Sequence, residues 1–257
     1  MSDRVSSHPD HHQDPHPDRP GSTGEHVLQD TLGTTDRAVR FYDDQVCDRL
    51  VPSMQEFVAR MSMAFVATSD AHGECDSTLR AGPPGFLRVL DDRHLAWPEY
   101  RGNGVMASLG NITENPHVGL LMVDFTDDLI GLHVNGAARV VEDAELRAEH
   151  PELPRETVPG RRADVWVEVT VEEAYVHCRK HIPRLVPVDR RRSWGTDDAR
   201  RKGGDHFGVA AARRAVAGGA EVTADGVTVD DAADGRPGDE VDPRTAQRAG
   251  AGASSAE

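Results

Sequence analysis

The chain has 257 residues, 37% of them hydrophobic, enough for one ordinary domain or two small ones. Its formal net charge of −15 argues against a nucleic-acid partner, because a phosphate backbone calls for cations. Cys47, Cys75 and Cys178 lie far apart with no C-x-x-C, which argues against a disulfide framework or a zinc knuckle. No basic segment leads into an apolar signal-like run, and nothing approaches the ~18 apolar residues of a membrane span, so a soluble, cytoplasmic protein is expected.

Residues 1–34, rich in His, Asp, Pro and Ser, are expected to form a disordered tail whose histidines fit no fixed metal site. Phe, Trp and Tyr are confined to residues 41–207, and a segment without large apolar side chains cannot offset its ordering entropy. One folded domain over residues 35–208 follows. A second disordered tail, acidic and rich in Ala, Gly and Asp, is expected over 209–257, with residues 210–216 suited to a frayed helical turn.

In chain order, Asp36 can cap a helix carrying Val39, Phe41, Tyr42 and Val46, which Pro52 interrupts. Ser53 and Glu56 read as a capping box, and Met54, Phe57, Val58 and Met61 recur at helical spacing. Strands follow at 61–68, 76–80, 86–90 and 94–97, the first two joined by the turn-rich 69–73 and the last two by 91–93. A helix is expected to start at Asn103, with Val105, Met106, Leu109 and Ile112 as its buried stripe and Asn115-Pro116 as its stop. Two longer strands occupy 117–125 and 129–141, the second alternating Leu132, Val134, Gly136, Ala138 and Val140 against His133, Asn135, Ala137 and Arg139. A short helix at 142–149 precedes a strand at 164–170, which 174–178 continues or leaves. Successive strands without long crossovers favour an antiparallel barrel, and the absence of G-x-G-x-x-G and G-x-x-x-x-G-K-[ST] removes the usual nucleotide folds.

Two places concentrate chemistry. His177-Cys178-Arg179-Lys180-His181 offers metal-type side chains but too few for a defined site. No acid, base or nucleophile commands a catalytic role; His133 and His177 are candidates, each better read as structural. Trp194 and Phe207 are aromatic anchors in the polar stretch 190–208, suited to lie on the barrel or on a partner subunit.

The second place is the stretch from Cys75 to Asn111. The bend Ala81-Gly82-Pro83-Pro84-Gly85 joins two β-runs, and Arg101-Gly102-Asn103-Gly104 precedes the helix. Backbone N–H groups at a helix start favour an anion, to which Arg101 and Arg80 can add charged, forked donors. A tight bend, an ordinary N-cap and solvated arginines account for each residue singly; their combination in one compact run points to a phosphate corner.

Asp76-Ser77, Arg80 to Phe86, a hairpin, Trp97-Pro98, Arg101-Gly102-Asn103, Ser108-Leu109 and Asn111-Ile112 follow in the order of the pyridoxamine 5'-phosphate oxidase family in its broad sense, and the chain resembles it from Thr35 to Phe207. The resemblance implies a mainly β, antiparallel FMN-binding split barrel with peripheral helices. It implies FMN as cofactor, with Arg80, Arg101, Asn103 and Ser108 at the phosphate and ribityl end and Ser77, Gly82, Trp97 and Pro98 along the isoalloxazine ring or its approach. It further implies a homodimer, since a small open barrel leaves a flat cofactor half exposed, and flavin redox chemistry with a small-molecule substrate or nicotinamide donor. The substrate is not implied. A non-enzymatic flavin-binding or storage module, or a split barrel using deazaflavin or haem, would share much of this pattern.

Overall fold

The computed structural model describes residues 19–188 and 193–217, divided between two units, Met1–Asp197 and Asp198–Glu257. The first unit opens with three helices, α1 (Thr23–Thr31), α2 (Thr35–Gln45) and α3 (Pro52–Arg60). Four strands follow, β1 (Met63–Ser69), β2 (Cys75–Ala81), β3 (Arg88–Val89) and β4 (His94–Pro98), then α4 (Ala107–Glu114). β5 (His117–Val123), β6 (Gly131–Glu142), α5 (Asp143–Glu149) and β7 (Val165–His177) complete it. All strand pairings are antiparallel, in a seven-stranded sheet of order β2-β1-β5-β6-β7-β4-β3.

That order makes β2 and β3 the two edges, although only the Gly82–Leu87 bend separates them in sequence. The sheet therefore curls, with its split between β2 and the β3–β4 hairpin. Period-2 alternation does the work expected of it. On β1, Ala64, Val66 and Thr68 are buried inside while Phe65 and Ala67 face outward. Val66, Trp97, Leu120, Met122, Val134 and Val169 meet in one core, closed at one end by Leu50 and Val58 from the α3 region. A smaller cluster, Ala96, Val141, Leu146, Leu153 and Trp166, fastens α5 beneath β7.

Several expectations need correction. Of the two courses left open for 174–178, continuation is the one taken: β7 runs on through 171–173, with Glu172 as the extra residue of a bulge opposite Asn135 and Gly136. Gly136 is required there: a Cβ would lie 2.0 Å from the Thr170 carbonyl oxygen. Ser53 and Glu56 form no capping box, since Val51 is the N-cap and Pro52 takes the first helical position. Thr34 rather than Asp36 precedes α2. The box occurs instead at Ser22 and Glu25, opening α1 inside the stretch expected to be disordered. α1 buries none of its residues and is held by polar links, Arg19 to Asp30 and Gln29 to the Tyr42 hydroxyl at 2.7 Å, so an apolar count misses it. Residues 1–18 and 218–257 of the two expected tails lie outside the described residues.

The second unit shows, among its described residues, a turn-rich stretch and α6 (Val209–Ala217), a full helix where a frayed turn was expected. The Asp205 carboxylate accepts the N–H groups of Ala210 and Ala211 and starts it. Of the two expected anchors, Trp194 is half-buried and Phe207 is exposed. No helix among the described residues is long and apolar enough to cross a membrane.

The β5–β6 connection turns on Asp124. Its buried carboxylate accepts N–H groups from Thr126, Asp127 and Asp128, with Arg60 3.4 Å away. Burial pushes its pKa up, but these hydrogen bonds more than offset that and bring it to about 2. The folded pKa lies below the unfolded one, so this stabilisation is complete above about pH 4 and is lost as pH falls through about 2. Asp124→Asn should lower stability by roughly 2 kcal/mol at neutral pH and flatten the acid limb. Urea midpoints measured against pH check this, and a variant that keeps the wild-type acid slope contradicts it.

Candidate functional site

Across the split, side chains do what backbone ladders cannot. Arg80, on β2, donates from Nε to Glu99 Oε1 at 2.8 Å and from a terminal nitrogen to Thr78 Oγ1 at 3.0 Å. The same Glu99 oxygen accepts the Trp97 indole N–H at 2.8 Å. Side-chain exposure is only 20% for Arg80 and 12% for Glu99, so this ion pair is shielded from the screening that makes surface pairs weak. The link joins β2 to the end of β4, where no strand pairing exists.

α4 docks beside the split, on β1 and β2. Ser108, Asn111 and Asn115 share one helical face: Ser108 donates to Asp76 at 3.1 Å, Asn111 to Thr68 at 3.0 Å and Asn115 to Ser69 at 2.8 Å. The spacing of that motif is the spacing needed to dock a helix on β1 and β2.

The helix does not begin at Asn103. Asn103 Oδ1 accepts the Val105 N–H in a local turn, Gly104 and Met106 take positive φ, and α4 starts only at Ala107. Val105 and Met106 are exposed rather than part of the buried stripe. The negative charge beside the first turn belongs to Asp76, which engages the buried Ser108. Arg101 is exposed and pairs with Asp197 at 2.7 Å. Both arginines of the expected phosphate corner are thus present, each with a carboxylate partner.

The residues expected along a flavin ring take different places. Trp97 is 1% exposed and belongs to the core, where it positions Glu99 rather than presenting a face. Gly82 is buried because a Cβ would lie 2.4 Å from the Phe86 side chain. Pro98 is buried and lines a cavity. Ser77 lies on the outer face of the sheet in a row of cross-strand neighbours, Ser77, Ala67, Gly119 and Asn135, beside a second row of Leu79, Phe65, Leu121 and His133. Phe65 and Leu79 are 39% and 51% exposed, so this shelf is both flat and apolar.

At the far end of the shelf the two candidate histidines meet, with His133 Nε2 3.0 Å from His177 Nδ1 and the His133 ring stacked on Tyr175 at 4.7 Å. Burial pulls the His133 pKa below the usual imidazole range, and His177 acts in the same direction. Among the described residues no group of three or more His, Cys, Asp and Glu side chains is placed to hold a metal.

A feature the sequence reading missed is a cavity of about 560 Å³ between the end of β4 and the connection from α5 to β7, walled by Phe86, Tyr100 and Trp166. Five arginines reach it against three carboxylates. Asp143 holds Arg147 at 2.8 Å, and Glu156 holds Arg161 at 2.8 Å. Arg88, Arg155 and Arg162 have no carboxylate within ion-pair distance among the described residues, and the buried Arg88 Nε has no acceptor. Burial pulls the Arg88 pKa below its ordinary value, partly opposed by Tyr100. One sequence signal was available: Arg88 interrupts the apolar run Phe86-Leu87-Arg88-Val89-Leu90.

The sequence model of pyridoxamine 5'-phosphate oxidase matches residues 50–178, half of the chain. The protein belongs to that family. A search of curated proteins returns no match. Solved structures resemble it across half of its length. HupZ of Group A Streptococcus is 20% identical, with a TM-score of 0.37, covering 53% of this chain and 98% of its own. General Stress Protein 26 of Bacillus anthracis is 17% identical, with a TM-score of 0.33 and coverage of 48% and 89%. HutZ, the heme storage protein of Vibrio cholerae, is 19% identical, with a TM-score of 0.36 and coverage of 50% and 94%. At this level such likenesses carry no argument about chemistry; the family assignment rests on the sequence match.

If Glu99 holds the split barrel together, Glu99→Gln should leave Arg80 charged without its counterion and lower stability by about 2 kcal/mol. The Trp97 indole N–H resonance should shift as well. Denaturant unfolding with NMR checks both, and an unchanged midpoint with an unchanged resonance would show the link to be incidental.

Proposed function

We propose that the protein binds FMN at the split and acts as a flavin-dependent oxidoreductase on a small anionic substrate held in the arginine-lined cavity. The observation that carries this reading is the alternation at the end of β4. Pro98 and Tyr100 line the cavity, while Glu99, between them, faces the split and fixes Arg80. In this reading the phosphate corner and the cavity are reached from neighbouring residues at the end of β4.

The residues fit a phosphate by exchange. Arg101 is 63% exposed, and its pair with Asp197, exposed as well, is of the kind worth at most about 1 kcal/mol, so a dianion can displace it. Arg80 stays tied to Glu99 and offers its remaining donor from a fixed position. The N–H groups at the start of α4, near Ala107 and Ser108, add neutral donors. Asn103 orders the loop between them, and Ser77 with the small residues beside it gives a flat surface for a ring. Trp97 and Gly82 support the site by packing. Bound FMN would supply reversible hydride acceptance, from a substrate or a nicotinamide donor. Arg88 would neutralise and orient the anionic end of the substrate, and Phe86, Tyr100 and Trp166 would exclude water around it.

The cleanest test uses Arg101→Ala, because this exposed side chain contributes little to the fold. FMN affinity should fall about ten- to a hundredfold, while riboflavin, lacking the phosphate, should bind wild type and variant alike. Titrating apoprotein by flavin fluorescence decides it, and an Arg101→Ala protein with wild-type FMN affinity removes the phosphate from this place.

The outer shelf supports a homodimer in the same reading. Leu79, Phe65 and Leu121 are cross-strand neighbours on an open apolar face, a surface that a second copy would cover together with the cofactor. Light scattering on the flavin-loaded protein should give twice the chain mass. A fully loaded monomer at micromolar concentration would contradict it.

A further inference from the structure

Beyond the region matched to the family, the chain returns to the cavity. Trp194 lies edge-on to Tyr100 at 5.5 Å, and the Arg161 guanidinium sits 5.4 Å from the Trp194 ring centre. Tyr100 and Arg161 both line the cavity but come from separate stretches, one following β4 and the other in the turn Pro159–Arg161. The backbones of Gly160 and Gly195 approach so closely that a Cβ on Gly160 would lie 2.3 Å from the Trp194 carbonyl. A Cβ on Gly195 would lie 2.6 Å from the Gly160 Cα. Through Tyr100 and Arg161, Trp194 thus touches both walls of the cavity, and Asp197 reaches Arg101, the residue after Tyr100, at 2.7 Å.

We infer that residues 193–197 form a strap that closes the arginine-lined cavity over its ligand, with Trp194 positioning Tyr100 and Arg161. This rests on the proposal that the cavity is a ligand site. The contacts suit a strap that opens. An edge-on aromatic pair and a cation over an indole are each weak, and the exposed Asp197–Arg101 pair is released when a phosphate takes Arg101, while the glycine-to-glycine contact fixes a single docked position. Arg161 is also the cation that the strap shares with the cavity: a terminal nitrogen donates to Glu156 Oε1 at 2.9 Å, and the guanidinium lies over the Trp194 ring. Docking therefore orients a charged donor that the ligand would meet, and undocking would let it swing.

The test uses the full chain and 4-nitrophenyl phosphate as an aromatic anion, followed by stopped-flow quenching of tryptophan emission, with amide exchange reporting the strap itself. Gly160→Ala and Trp194→Ala should raise exchange across 193–197 and speed probe dissociation about tenfold. Trp194→Phe keeps a ring on Tyr100 and should restore dissociation to near the wild-type rate. Faster exchange in the first two variants with unchanged probe kinetics would overturn the strap while leaving the cavity as a binding site. Arg88→Ala separates the two ideas: binding that survives it, or a wild-type protein that does not bind the probe, removes the cavity reading and the strap's role with it.

Discussion

The Glu99 carboxylate, shared by Arg80 and Trp97, is the interaction on which the rest depends. A sheet that curls without closing leaves two edges, and edges expose backbone donors and acceptors that pair with nothing. Here the gap between β2 and the end of β4 is crossed by a shielded ion pair, while α4 is fastened to β1 and β2 by three side-chain hydrogen bonds. Hydrogen bonds to side chains can be rearranged where a strand ladder cannot. The split is therefore held by side chains where the rest of the sheet is held by a ladder.

The same carboxylate sets where charge can go. Arg80 is held inside the split by its pair with Glu99 rather than extended into solvent, so its remaining N–H donors keep a fixed position. On the other side of β4, Arg88 is desolvated without a counterion among the described residues. Such an arrangement costs stability, which is why the cavity beside it carries the substrate half of the proposal. The two cations lie on different strands and serve different spaces, and only the short end of β4 separates those spaces.

Most strands were legible because alternation is a local signal. β1, β2 and β6 were read close to their observed bounds, β6 from the alternation of residues such as Leu132 and Val134. What failed was decided by distant partners or by competing local geometry. Asn103 looks like an N-cap, yet its carbonyl oxygen turns the chain back at Val105, and Met106 in a left-handed conformation delays the helix. Ser53 and Glu56 have the spacing of a capping box but lie one position inside a helix that Pro52 has already begun. Trp97 and Glu99 carry no signal of their partnership, because the strand that joins them to Arg80 is remote in sequence. α1 escaped notice because it is held by charge and hydroxyl contacts rather than by burial.

The absorption spectrum of the purified protein tests the central claim most directly. The account predicts the two-band spectrum of an oxidised flavin, released on denaturation as FMN, with bands perturbed while the protein is folded. A haem or deazaflavin spectrum, or a protein that stays colourless after incubation with excess FMN and desalting, would contradict it.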